Sequence, residues 1–104
     1  MNNAKLTEQV KRKLNITWND DDTNARVDDI IASGISYMKH KLGITEKEFD
    51  FSVEGLENTL FLAWCLYEYN HSANEFETNY APMIANAQAI HLVANCKGAT
   101  NEQE

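Results

Sequence analysis

An all-α fold, a small bundle of about four helices, is what this 104-residue sequence predicts, and three observations carry that expectation. Only four Gly and one Pro are present, too few turn formers for a many-turned β-sandwich or barrel. The apolar share of 43% is enough for one core of ordinary size. Apolar residues recur every three to four positions through most of the chain, the period of an amphipathic helix.

The first helix is expected at 7–14. Leu6, Val10 and Leu14 form its apolar stripe, and the Thr7 hydroxyl is placed to cap it. Asn15 ends the pattern. Asp20, Asp21 and Asp22 then precede Thr23. A calcium loop needs carboxylates alternating with other residues, a Gly turn and a distal Glu, and that spacing is absent here. Aspartates beside the free amides and positive dipole end of a helix fit better, so they read as the start of a second helix over 23–42.

Val27, Ile30, Ile31, Gly34, Ile35, Met38 and Leu42 share one face of that helix. Gly costs roughly 1 kcal/mol in a helix interior relative to Ala. Gly34 in mid-stripe therefore predicts close approach of another helix, and Gly43 supplies the C-terminal stop.

A connector follows, with one helical turn expected at 45–48. A third helix is expected over 53–70, with Ser52 as its cap. Leu56, Leu60, Ala63, Trp64 and Tyr67 form its main stripe, and Phe61, Leu62, Cys65 and Tyr69 form a second group. A surface helix needs only one stripe, so this one is either the centre of the bundle or part of a subunit interface.

A fourth helix is expected over 75–95. Asn74 with Glu77 resembles a capping box, and Phe76, Tyr80, Met83, Ala87, Ile90 and Ala94 keep one helical phase. Pro82 should kink or restart this helix, with a start at Asn79 as the alternative. Residues 96–104 read as a polar, disordered tail, so a single domain over 1–95 is expected, with two long central helices flanked by two others.

The net charge is −7, and it is unevenly distributed. Lys5, Lys11, Arg12 and Lys13 against Glu8 leave residues 1–18 at +3 and the remainder at −10. An acidic body counts against nucleic acid or anionic membrane as a main ligand, because both need a cationic footprint. The longest apolar run, at 60–67, is eight residues, well short of the roughly 20 that span a bilayer. With no apolar leader in the opening residues, a soluble intracellular protein is expected.

No pattern of catalytic residues stands out. Cys65 and Cys96 form no C-x-x-C, and reduced thiols are expected. Cys65, in mid-helix among apolar residues, is expected to be inert. His40, His71 and His91 have no i, i+4 partner, and Glu68 with His71 is the single Glu-x-x-His spacing. No phosphate loop is present, and no metal or cofactor is expected. A helix-turn-helix would present Asn24 and Arg26 to DNA, but aspartates flank both.

Read in order, several segments resemble the head–tail connector (adaptor) proteins of tailed bacteriophages and prophages. They are Leu6-Thr7 with Val10-Lys11 and Leu14-Asn15-Ile16; Asp21-Asp22 followed by Ile30-Ile31, Gly34-Ile35 and Tyr37-Met38; Leu60, Ala63 and Leu66-Tyr67-Glu68-Tyr69; and Phe76-Glu77, Asn79-Tyr80 and Met83-Ile84. The similarity covers 6–95, with Pro82 as an irregularity and a short tail after Asn95.

The resemblance implies a non-enzymatic subunit that self-associates into a ring of about twelve, with heterologous contacts between copies. Such a ring sits beneath the portal protein and meets tail-side connector proteins. It extends the channel through which DNA passes without sequence-specific binding, at the head–tail junction of the virion, after synthesis in the bacterial host cytoplasm. No membrane is implied. Candidate subunit-interface residues are Phe61, Leu62, Cys65 and Tyr69 on the third helix. Basic Lys11 and Arg12 facing acidic Asp20, Asp21 and Asp22 of a neighbour complete the candidates. The alternative from another class is a small helical regulatory protein that binds a protein partner or DNA.

Overall fold

The computed structural model describes residues 3–18, 20–47 and 49–103, with side chains described for 4–18, 20–47 and 49–93. Over these residues the chain forms five helices and no strand: α1 (Asn3–Lys13), α2 (Asp21–Leu42), α3 (Leu56–Tyr69), α4 (Ala73–Asn79) and α5 (Ala81–Gln103).

α1 buries Leu6 and Val10, and Leu14 follows just past its end. It starts before Thr7, which lies inside the helix rather than at its cap; Ala4 and Lys5 are good helix formers and nothing interrupts them. Asn15 ends the helix in the left-handed region at φ 61°. The Ile16 amide donates back to the Lys11 carbonyl at 2.9 Å, and the Ile16 side chain is buried.

α2 is closed at both ends as its sequence predicts. Asp20 is extended, and its carboxylate accepts from the Thr23 amide at 2.7 Å and from the Thr23 hydroxyl at 3.1 Å. Asp21 and Asp22 occupy the first turn. Gly43 takes φ 73°, and the Ile44 amide donates to the Lys39 carbonyl at 2.9 Å. A non-glycine residue there would be held in a strained conformation.

α3 is the centre. It packs against all four other helices, and Leu60, Phe61, Ala63, Trp64 and Cys65 are buried. The longer α2 and α5 lie around this 14-residue helix, so the arrangement of two long central helices does not hold. Its first turn follows Gly55 without a side-chain cap. Ser52, expected to cap α3, instead donates its amide (2.9 Å) and hydroxyl (2.6 Å) to Asp50 Oδ1. Those two donors hold the Asp50 carboxyl below its ordinary range.

The turn expected at 45–48 is not helical at 45–47, and Glu48 lies outside the described residues. The connector is fastened by polar bonds. Asn58 Nδ2 donates to the Phe51 carbonyl at 2.7 Å and to Gln9 Oε1 at 3.0 Å, and Gln9 Nε2 donates to the Ser52 carbonyl at 3.0 Å. This places Phe51 in the core, stacked on Phe61 at 5.2 Å between ring centres.

The helix expected over 75–95 is two helices. Proline has no amide hydrogen for the carbonyl four residues back, and its ring collides with it. The chain accordingly breaks at Tyr80 and restarts at Ala81, with Pro82 in the first turn. Asn74 sits inside α4, which begins after Ser72, so the Asn74–Glu77 capping box does not form. α4 is fastened to α2 by Glu77, which accepts from the Tyr37 hydroxyl and pairs with Lys41 at 3.2 Å. Burial, with the Glu77 carboxylate next, raises the Tyr37 pKa; the Tyr37 hydroxyl, then Lys41, lowers that of Glu77. α5 continues through Gln103, where the sequence suggests a disordered tail from 96 onward.

A Cβ added at Gly34 would lie 2.9 Å from Phe61 Cε1 and 3.0 Å from Trp64 Cζ3, both on buried rings. Ala normally gains about 1 kcal/mol over Gly within a helix, whereas overpacking a tight core costs about 1–3 kcal/mol. Gly34→Ala should therefore lower the urea midpoint with an unchanged m-value, and Gly34→Val should lower it further. A midpoint that rises in Gly34→Ala would refute close packing of α2 on α3.

Candidate functional site

The interface candidates on α3 divide by burial. Phe61 and Cys65 have no exposed surface within one subunit, and the Phe61 ring is covered by Phe51 of the connector and by α2 at Gly34. They cannot meet a neighbouring copy, and their place as interface residues is corrected. Leu62 and Tyr69 are half-buried. The Tyr69 ring already carries the Arg26 guanidinium at 4.4 Å, and Arg26 Nη2 donates to the Tyr69 carbonyl at 2.7 Å. Leu62 lines a groove of about 320 Å³ with Gln9, Arg12, Lys13, Glu54 and Asn58.

The charged candidates lie side by side. Lys11 Nζ donates to Asn24 Oδ1 at 2.8 Å, which sets the end of α1 against the first turn of α2. Asp20 is engaged in capping, while Arg12, Asp21 and Asp22 are exposed. A head-to-tail contact needs two patches on different flanks of the subunit. Adjacent basic and acidic segments do not supply that, so the pairing of Lys11 and Arg12 with a neighbour's Asp20, Asp21 and Asp22 is not supported by this geometry.

A surface that the sequence pattern did not single out is on α5. The helical phase of the sequence puts Ile90 on the inward stripe, yet it is 51% exposed, with Leu92 at 63% and Val93 at 54%. Ile84 and Ala87 are buried and His91 points inward, and Ile90 is turned out. No Asp, Glu, Lys or Arg occurs from Ala81 to Cys96. A helix with a solvated outer side normally carries charge there. That missing charge is the signal in the sequence for an outer face of this kind.

α5 is held where it leaves the bundle. Gln88 Nε2 donates to the Lys41 carbonyl at 2.9 Å, and His91 Nε2 donates to Glu57 Oε2 at 2.7 Å. The His91 ring also meets the Phe49 ring edge-on at 5.8 Å. Leu92 lines a groove with His40, Leu42 and Gly43. These contacts lie at the C-terminal end of α2 and the N-terminal end of α3, so the following turns of α5 run past both helix ends. The molecule is accordingly long, 54 × 31 × 19 Å, with a radius of gyration of 15.0 Å against about 13 Å for a typical domain of 100 residues.

Burial pushes the Cys65 thiol up to about 12, which removes the thiolate at neutral pH. Among the described residues, no three His, Cys, Asp or Glu side chains are grouped to hold a metal ion, and no helix is long and apolar enough to cross a membrane. Comparisons with protein-family models, curated proteins and solved structures find no match.

The Cys65 environment has two measurable consequences. In a Cys96→Ser background, iodoacetamide at pH 8 should leave native protein unlabelled and label it fully in urea. The unfolded thiol ionises near 9.0, whereas the native thiol holds its proton until about 12. Between those values the unfolded state binds fewer protons, so this group's contribution to stability falls as pH rises. Cys65→Ala should flatten that alkaline decline, and an equal slope in both proteins would contradict it.

Proposed function

We propose that this chain is a non-enzymatic structural subunit, a head–tail connector (adaptor) of a tailed bacteriophage or prophage, that assembles with copies of itself beneath the portal. The observation that carries the reading is the exposed apolar group of Ile90, Leu92 and Val93, set in the charge-free stretch of α5 from Ala81 to Cys96. An exposed surface of that kind is costly in a lone soluble subunit and useful in an assembly. The ordered motifs over 6–95 support the same reading, as does the charge: an acidic channel wall repels phosphate and lets DNA pass. On this reading the subunit works at the head–tail junction, between the portal and tail-side connector proteins, after synthesis in the host cytoplasm.

Negative-stain microscopy of concentrated protein, alone and with its cognate portal protein, tests this. Rings of about a dozen copies, or an added layer on the portal, are expected. A strict monomer that also ignores the portal would overturn the reading. Tight, sequence-specific DNA shifts at ~150 mM salt would overturn it as well, and would favour a regulator.

A further inference from the structure

α1 gathers basic charge in a chain whose net charge is −7: Lys5, Lys11, Arg12 and Lys13 all lie on it. Lys11 is spent inside the subunit, on Asn24 Oδ1 at 2.8 Å. Arg12 and Lys13 are exposed. The ion pairs among the described residues are Lys41–Glu77 and His91–Glu57, so no described carboxylate pairs with Arg12 or Lys13.

These two cations line the groove of about 320 Å³ between α1 and α3. Leu62 of α3, half-buried, is the apolar member of the lining, and Glu54 is its carboxylate. Gln9 and Asn58 line it too. Their side-chain amides bond to each other at 3.0 Å and to the Ser52 and Phe51 carbonyls, so this part of the lining is fixed.

We propose that this groove binds a short acidic segment of a partner protein, with carboxylates on Arg12 and Lys13 and an apolar side chain on Leu62. The inference goes beyond the connector reading and does not rest on it.

Charge and size select that occupant. The planar guanidinium of Arg12 can hold a carboxylate through two parallel bonds, and the Lys13 ammonium adds a point charge beside it. Charges at the rim steer a partner and set its register, and the apolar contact adds affinity. Nucleic acid fits less well. Two cations beside Glu54 are a small footprint for a polyanion, and a phosphate backbone has no apolar group for Leu62. A second copy would bring another −7 to the contact, whereas a short segment brings only the charges that bind. The volume is at the low end of the roughly 300–1,000 Å³ of ligand pockets, which suits a few side chains. Weak binding, with a Kd of about 1 mM or below, is expected.

Amide NMR of the isotope-labelled full chain tests the site, with a short peptide holding one Leu between two pairs of Glu as the probe, added to about 5 mM. Saturable shifts are expected at the amides of Arg12, Lys13, Asn58 and Leu62. Peptides with Gln for each Glu, or with Ala for the Leu, should bind about tenfold more weakly, so that the shifts no longer saturate. The double variant Arg12→Gln with Lys13→Gln should lose binding of the first peptide to the same extent, with unchanged helical circular dichroism. Lys39→Gln with Lys47→Gln removes the same charge from residues outside the groove and should bind the peptide like wild type.

Absence of shifts at these amides, equal binding of either altered peptide, or an equal loss in the Lys39 and Lys47 variant would each overturn the site. A DNA duplex that shifts the same amides at lower concentration than the peptide would overturn it in favour of nucleic acid. Shifts of these amides on concentrating the protein alone would overturn it in favour of a second copy.

Discussion

The close approach of α2 to α3 at Gly34 is the constraint from which the remaining packing follows. Only a residue without a side chain lets the Phe61 and Trp64 rings lie against the α2 backbone. Phe61 then serves as the floor on which Phe51 stacks, and Phe51 brings the connector with it. Trp64 stacks on Tyr37 at 5.4 Å, and Tyr37 reaches Glu77 of α4. One missing methyl group thus sets the position of a helix, a loop and a second helix. A core that depends on one tight contact tolerates enlargement there poorly, because a close-packed interior has no void to absorb it.

Around that contact, polar groups do the work of fixing register. Asn58 is buried, and its amide is satisfied by the Phe51 carbonyl and by Gln9, so an otherwise costly group becomes a clasp between α1, α3 and the connector. No buried side-chain nitrogen or oxygen among the described residues lacks a partner. The Arg26–Tyr69 and Glu77–Lys41 contacts are more exposed and contribute less to stability, but they pin the ends of α3 and α4.

Proline also divides the C-terminal helical stretch. The break at Tyr80 separates α4 from α5, and Phe76 packs beside Tyr67 and Tyr80. Beyond it, Ile84 and Ala87 face the core while Ile90, Leu92 and Val93 are exposed. Leu92 and Val93 lie off the stripe of Phe76, Tyr80, Met83 and Ala87 by the helical period itself, so their exposure needs no change of phase.

Much of the local structure was legible in the sequence, because it depends on neighbours in the chain. The α2 cap at Asp20, its stop at Gly43, the buried Leu6–Val10–Leu14 stripe and the tight packing at Gly34 each follow from short-range geometry and periodicity. So does the burial of Cys65 among apolar neighbours. The tertiary structure decided what covers each face. The second group on α3 could equally have been core or interface by pattern alone; in the fold Phe61 and Cys65 are buried, with Phe51 and Gly34 against the Phe61 ring. Ser52 bonds to Asp50 rather than capping α3, since two donors converge on one carboxylate two residues away. Sequence fixes which residues can turn together; only the packed chain fixes which way they face.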